Sequence, residues 1–424
     1  MRLNIKYATL QFGYWIDYLL VSSFATVLLI SRGFSASDVG YVTTLGAVLA
    51  MLLQTYTSAL ADKSKKITVK HIIGALILGA IASGVLMWMF PDVHAATFAG
   101  MAVAFGLTTT LSPLLTALCL KYNKMGYKVN FGIARSLGSM GYASAGYAAG
   151  QITGAFGVEI IIPIFIFIYV VSFVILISME KIKLSESPKY GTADEQNNEQ
   201  KKISPSDIEK GRRITDETPS GLIQFFLKYP RYDVFLISVM MIYFMQMVLG
   251  TYMIYFVRGY GGTEAEMGLV LSVTAFSEMP AVALGMFFLR KTSAGTLLRI
   301  SGVASAIKFI SMIFITHIQV FIGLQVIHFF FSGLYMVSSV YYADSIVDRA
   351  DAVKAQGLLA VGLSGFAGII ANISAGYLLE VTTTKNISII GGAVATLGMI
   401  LMFLATGDMI PKKRIIASKE STGR

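Results

Sequence analysis

A chain of 424 residues that is 55% hydrophobic and only 14% charged, with a mean hydropathy of +0.68, is too apolar for an ordinary soluble domain and reads as a polytopic membrane protein. The net charge of +10 does not point to a nucleic-acid partner, because the basic residues are scattered over short loops between hydrophobic runs. A single cysteine, Cys119, excludes an intrachain disulfide framework and a four-cysteine metal site.

At about 20 apolar residues per crossing, the predicted helices in chain order are α1 (7–31), α2 (39–61), α3 (69–90), α4 (95–120), α5 (130–154) and α6 (158–178). After a polar interval follow α7 (232–257), α8 (265–289), α9 (296–316), α10 (318–343), α11 (356–380) and α12 (387–406). The first run is too long for a signal-peptide core and lacks a small-residue cleavage site, so it stays as a span. The fold class expected is therefore an all-α membrane protein of twelve transmembrane helices in two pseudosymmetric six-helix bundles. The division is 1–180, a largely disordered cytoplasmic linker 181–229, 230–408, and a basic cytoplasmic tail 409–424. Within the linker, 222–228 has the composition of a short interfacial amphipathic helix. Loops on one side carry only Arg32, Arg258 and Lys385, which places both termini in the cytoplasm and the protein in the inner cell membrane. The halves echo each other: Arg32-Gly33-Phe34, then Asp38 and Gly40, is mirrored by Arg258-Gly259-Tyr260, then Glu266 and Gly268. Parallel six-helix repeats of this kind are a transporter architecture, with a solute site at the midplane between them.

Five ionisable residues fall well inside predicted spans: Asp17, Arg135, Glu278, Lys308 and His328. Arg135 sits in a glycine-rich α5 whose Gly146, Gly150 and Gly154 recur every four residues, a strip that admits close approach of another helix. A charge in hydrocarbon needs protein or water around it and a partner, so the two acids are expected to pair with the bases across a shared polar cavity. The bland alternatives are static ion pairs holding helices together and an Arg135 that snorkels to the interface. Gln11, Tyr14, Trp15, Tyr18, Gln54, Tyr243, Gln246, Tyr252 and Asn372 add aromatic faces and hydrogen-bonding edges that suit a sugar, a nucleoside or an aromatic acid. Four histidines at 71, 94, 317 and 328 show no i, i+4 pairing, and no phosphate-binding glycine loop is present, so neither a metalloenzyme nor an ATP-driven pump is expected.

Ala61-Asp62-Lys63-Ser64-Lys65-Lys66, between α2 and α3, resembles the acidic-then-basic loop signature of the major facilitator superfamily, without its usual glycine. Phe131-Gly132-Ile133-Ala134-Arg135 with Gly138, Gly141 and Tyr142 resembles the fifth-helix motif of the oligosaccharide/proton symporters, the lactose-permease family, with nucleoside- and phenylpropionate-type permeases as relatives. The resemblance spans nearly the whole chain. It implies Arg135 and Glu278 in solute recognition, Tyr142 as an aromatic platform, Lys308 and His328 in proton coupling, and Asp62 in gating. It departs at Thr116, Ala281, Phe331 and Ser364, where the family places a glutamate, an asparagine, the proton-carrying glutamate and a lysine. Galactoside specificity therefore does not carry over, and the proton carrier must be sought elsewhere.

The reading is a monomeric, proton-coupled symporter of a small polar solute (a sugar, glycoside or nucleoside), not an enzyme, with no cofactor beyond the proton gradient and no partners other than solute, protons and lipid. An aromatic-carboxylate permease and a drug/proton antiporter are the alternatives. Solute-binding candidates are Arg135, Glu278, Tyr142, Trp15, Gln246 and Asn372. Coupling candidates are Asp17, Glu278, Lys308 and His328. Symport needs an acid that an apolar setting keeps protonated until a cation approaches, and Asp17, flanked by Trp15 and Tyr18 with no cation nearby on its own helix, fits that description.

Overall fold

The computed structural model describes residues 2–63, 67–180, 220–407 and 409–410; most of the linker and of the basic tail lie outside them. Among the described residues, ten helices are long and apolar enough to cross a membrane: α1 (Leu3–Ser31), α2 (Ala36–Leu60), α3 (Val69–Met89), α4 (His94–Lys124), α6 (Val158–Ser178), α7 (Pro230–Gly259), α9 (Ala294–Phe314), α10 (Ile318–Ile346), α11 (Arg349–Val381) and α12 (Thr384–Thr406). α8 becomes an eleventh if Glu264–Ala283 and Gly285–Lys291, bent by 50°, are one span. α5 (Phe131–Phe156) has 26 residues, about 39 Å of helix, but its run of Gly, Ser and Ala leaves it outside that apolar set.

The bend in α8 comes just after Pro280. The ring removes one backbone donor, and the helix re-forms beyond Leu284, whose N–H bonds to Pro280 O at 2.9 Å. Other irregularities have no proline behind them. α1 widens into a π-turn over Leu20–Phe24, α11 does so over Val361–Ala367, and α10 tightens to 3₁₀ geometry over Gln325–Phe329 before resuming at Ser332. The segment Leu222–Lys228 is a separate short helix. It exposes Leu222, Ile223 and Leu227, buries Phe225, and is broken from α7 by the non-helical Tyr229 (φ −119°, ψ 66°).

Helix pairing follows one rule in both halves. α1 packs on α5 and α6, α2 on α4, and α3 on α4 and α6; α7 packs on α11 and α12, α8 on α10, and α9 on α10 and α12. Adding six to each helix of the first set gives the second. The two principal seams between halves, α5 on α8 and α2 on α11, exchange under the same rule.

The loops show the duplication at finer grain and correct its register. The left-handed glycines that end the first helix of each half are Gly33 (φ 82°) and Gly261 (φ 80°), so Gly33 matches Gly261 rather than Gly259. Asp38 and Glu266 then both fall five residues on. Each caps its helix, Asp38 by accepting from Ser35 N (3.0 Å) and Oγ (2.9 Å), Glu266 by accepting from Thr263 N (2.8 Å) and its hydroxyl.

Described hydrogen bonds between the halves lie toward the end of the bundle that carries Gly33 and Gly261, here the distal end. Ser23 Oγ donates to Gly250 O (3.2 Å), Tyr252 Oη to Ala36 O (3.1 Å), Ser272 Oγ to Ala143 O (2.6 Å), and Ser37 N to Glu380 Oε1 (2.9 Å). The halves are thus bonded to each other toward the distal end.

Candidate functional site

A candidate solute crevice lies where half-buried side chains of α1, α5, α7 and α8 face one another between the halves. Trp15 on α1 is its centrepiece. The Arg135 guanidinium from α5 lies over the indole, 4.1 Å from the ring centroid, and Nη1 donates to Ser139 Oγ at 2.8 Å. Such a stack is worth about 0.5–2 kcal/mol as desolvation increases. Gly138, one turn further along α5, makes room for the indole, because a Cβ there would collide with Trp15 Cδ1. Tyr14, Tyr18 and Tyr142 meet the indole at centroid distances of 5.3, 5.5 and 6.3 Å. The Trp15 Nε1–H is buried with no hydrogen-bond partner. Arg135, Tyr142, Glu278 and Gln246 remain half-buried, as groups lining a crevice should.

Glu278 on α8 is within electrostatic reach of both Arg135 and Lys308, and it influences Tyr142 and Tyr243 as well. It forms no ion pair within 4 Å among the described residues. Lys308, fully buried on α9, bonds instead to His328 Nδ1 at 2.7 Å and donates to Gln246 Oε1 at 3.3 Å. The 3₁₀ stretch of α10 presents His328 to that ammonium. With Lys308 as an ammonium, which only donates, the contacting His328 nitrogen is the acceptor. The expected pairing of acids with bases is therefore not what this conformation shows: Arg135 rests on an aromatic ring, Lys308 on an imidazole and an amide, and Asp17 on nothing.

The remaining candidates lie elsewhere. Asn372 is in the distal seam, where its Oδ1 accepts from Thr251 Oγ1 (2.8 Å) and its carbonyl from Tyr252 Oη (2.8 Å). Asp17 is fully buried behind α1. Asp62 ends α2, and its side chain lies outside the described residues, as does that of Ser364. A separate, almost wholly apolar groove of about 380 Å³ runs along the outer face of α9, α10 and α12 past Ile300, Val303, Phe330 and Phe403. Sequence reasoning missed the unsatisfied indole donor and the packing of Tyr243 against Phe331 and Tyr335 (centroids 4.9 and 4.7 Å), because periodicity gives a residue's depth without saying which helix it will face.

Two pseudosymmetric helical halves closed at one end around a charged, aromatic crevice define a membrane transporter of the major facilitator type. The family model described as "MFS_1 like family" matches residues 7–390, and the chain belongs to that family. It is 22% identical over 409 residues to the "Uncharacterized transporter YwbF" of Bacillus subtilis (strain 168), covering 94% of this chain and 93% of that one. Among solved structures it resembles the nucleoside transporter NupG (TM-score 0.74, 15% identity, 96% of this chain and 98% of that one). It also resembles a bacterial homologue of the lysosomal transporter Spinster in an inward-facing conformation (TM-score 0.65, 12% identity, 96% of each chain). At these identities the structural likeness bears on the fold alone.

Proposed function

We propose that the protein is a proton-coupled symporter of a nucleoside or a similarly sized glycoside, working by alternating access across the inner cell membrane as a monomer with both termini in the cytoplasm. On this reading α5 is the twelfth span. The positive charge of the terminal-end loops supports the orientation, and the crevice then faces the cytoplasm.

The observation that carries the reading is the Trp15 assembly with Glu278 opposite. A stacked indole–guanidinium pair, three tyrosine rings, a free indole N–H and a carboxylate offer a flat solute one aromatic wall and both donors and acceptors at its edges. A nucleoside has that shape and that edge chemistry; a galactoside lacks the flat base. Glu278 and the bonded Lys308–His328 pair place ionisable groups beside the solute space, whose charges can respond to solute binding.

Arg135 gives specific support to a second reading. Its guanidinium has no carboxylate within 4 Å among the described residues, so an aromatic carboxylate could fill that place with a charge-assisted bond. Uptake of labelled uridine, adenosine, a β-glycoside and phenylpropionate into proteoliposomes, with and without an imposed pH gradient, decides between them. Gradient-dependent nucleoside uptake is the expected result. Accumulation of phenylpropionate alone would favour the second reading, and gradient-independent uptake of every solute would remove proton coupling.

A further inference from the structure

The acid least used by the site just described is the most anomalous one in the molecule. Asp17 has 0% exposure, and neither carboxyl oxygen has a hydrogen-bond partner among the described residues. An ionised carboxylate in that position would carry an uncompensated desolvation penalty of several kcal/mol, which proteins rarely tolerate without a bound cation or proton.

Its azimuth matters as much as its burial. Trp15 and Asp17 are two residues apart, so on a helix they point in nearly opposite directions. Trp15 faces α5 and the crevice. Asp17 shares its face with Gly13, which packs on α6 so closely that a Cβ would come within 2.8 Å of Ser172 Oγ. The titratable group facing Asp17 from α6 is Tyr169, which is coupled to it electrostatically and shares a 2.7 Å hydrogen bond with Thr108 of α4. α5 offers Arg135, but that side chain is turned to the other face of α1. From α7, whose charged residues are near its ends, no charged side chain acts on the carboxyl.

Directly beyond Asp17, α1 passes into its π-turn, Leu20–Phe24. Such turns hold one residue more than a helical turn and recur at functional sites. Within and just past it stand Ser23 and Thr26, whose hydroxyls donate to Gly250 O and Thr251 O in the other half. One helix therefore carries a solute-facing indole, a solitary acid on its back, and two of the bonds that close the distal end.

We propose that Asp17 is the proton-binding site of the transport cycle, set behind α1 and apart from the solute crevice, and that its occupancy reaches the distal gate through the π-turn of α1. This rests on the symport reading above. The proton adds to the carboxylate and leaves from the same oxygen. Asp17 needs no contact with solute, and α1 transmits its state to Ser23 and Thr26.

Infrared difference spectroscopy of the full-length protein in lipid, titrated over pH without any solute, reads the protonated carboxyl directly. The expected result is a carboxyl C=O band present at neutral pH in the wild type, absent in Asp17→Asn and retained in Asp17→Glu. In proteoliposomes, Asp17→Asn should lower gradient-driven accumulation by at least about tenfold while solute exchange stays within about threefold, a split that a misfolded protein would not give. A band unchanged in Asp17→Asn, or accumulation equal to wild type, overturns the proposal. So does loss of the band on adding sodium at fixed pH, which would make the site a sodium site. If the wild type itself accumulates nothing, the symport reading fails, and the infrared band still decides whether Asp17 holds a proton.

Discussion

Gly40 and Gly268 occupy the same place in the two halves. Each lies seven residues beyond its half's left-handed glycine, and each faces a carbonyl of the opposite half: Asn372 O for Gly40, Gly146 O for Gly268. A Cβ at Gly40 would stand 2.6 Å from its carbonyl, and one at Gly268 would also collide with the Gly150 backbone. Both seams close only because neither position has a side chain.

Gly268→Val should therefore hold the distal end open. The expected outcome is a folded protein whose uptake falls by about a hundredfold or more, equivalent to ~2.7 kcal/mol or more of barrier. Ser272→Cys, which replaces a hydroxyl bonded to Ala143 O across the seam, should react with a distal-side maleimide in that background and be protected without it. Cys119 is buried and free, so it contributes little background.

Of the two tryptophans, Trp15 lies in the crevice and Trp88 is 62% exposed. Adding a bound solute should change indole fluorescence in the wild type and in Trp88→Phe, with the same dissociation constant. In Trp15→Phe the signal should vanish. A response that instead follows Trp88 would place the solute away from the α1–α5 contact.

Arg135→Lys keeps the charge and loses the planar surface stacked on Trp15. Solute affinity should fall by roughly three- to thirtyfold, matching the ~0.5–2 kcal/mol of such stacks, with little change in melting temperature. Gly138→Ala should weaken binding in the same direction by displacing the indole itself.

Lys308 and His328 form a fully enclosed donor–acceptor pair. His328→Leu leaves the ammonium with Gln246 as its one hydrogen-bond partner among the described residues, and should cost about 2–3 kcal/mol of stability, read as a lowered melting temperature in detergent. Lys308→Met combined with His328→Leu should regain most of that loss, because the orphaned group is gone. Additive losses in the double variant would show that the 2.7 Å contact contributes nothing of its own.

Much of this arrangement was legible in the sequence. Hydropathy placed the helices, and Pro280 stands where α8 bends. The π-turn of α1 and the 3₁₀ stretch of α10 were invisible, because Leu20–Phe24 and Gln325–Phe329 contain no glycine or proline and differ from ordinary helix only in hydrogen-bond register. The repeat was visible but slipped by two residues, since Arg32 and Arg258 look alike while the turn geometry belongs to Gly33 and Gly261. The partners of the buried charges could not be read at all. Depth along a span says that Arg135 needs company; whether that company is Glu278 or Trp15 depends on how the two halves are tilted.

The closed distal end has one further property. Among the described residues, each ion pair joins partners within one half: Arg32 with Glu159, Arg258 with Glu264, and Lys228 and Lys354 with the acids at 348 and 351. What crosses the seam is hydroxyls, carbonyls and bare glycine backbone, with Glu380 at the rim. Neutral dipoles are barely screened by dissolved ions. Opening at this end should therefore proceed at nearly the same rate in dilute buffer and in brine, so a transport rate that varies with ionic strength would report events at the opposite mouth.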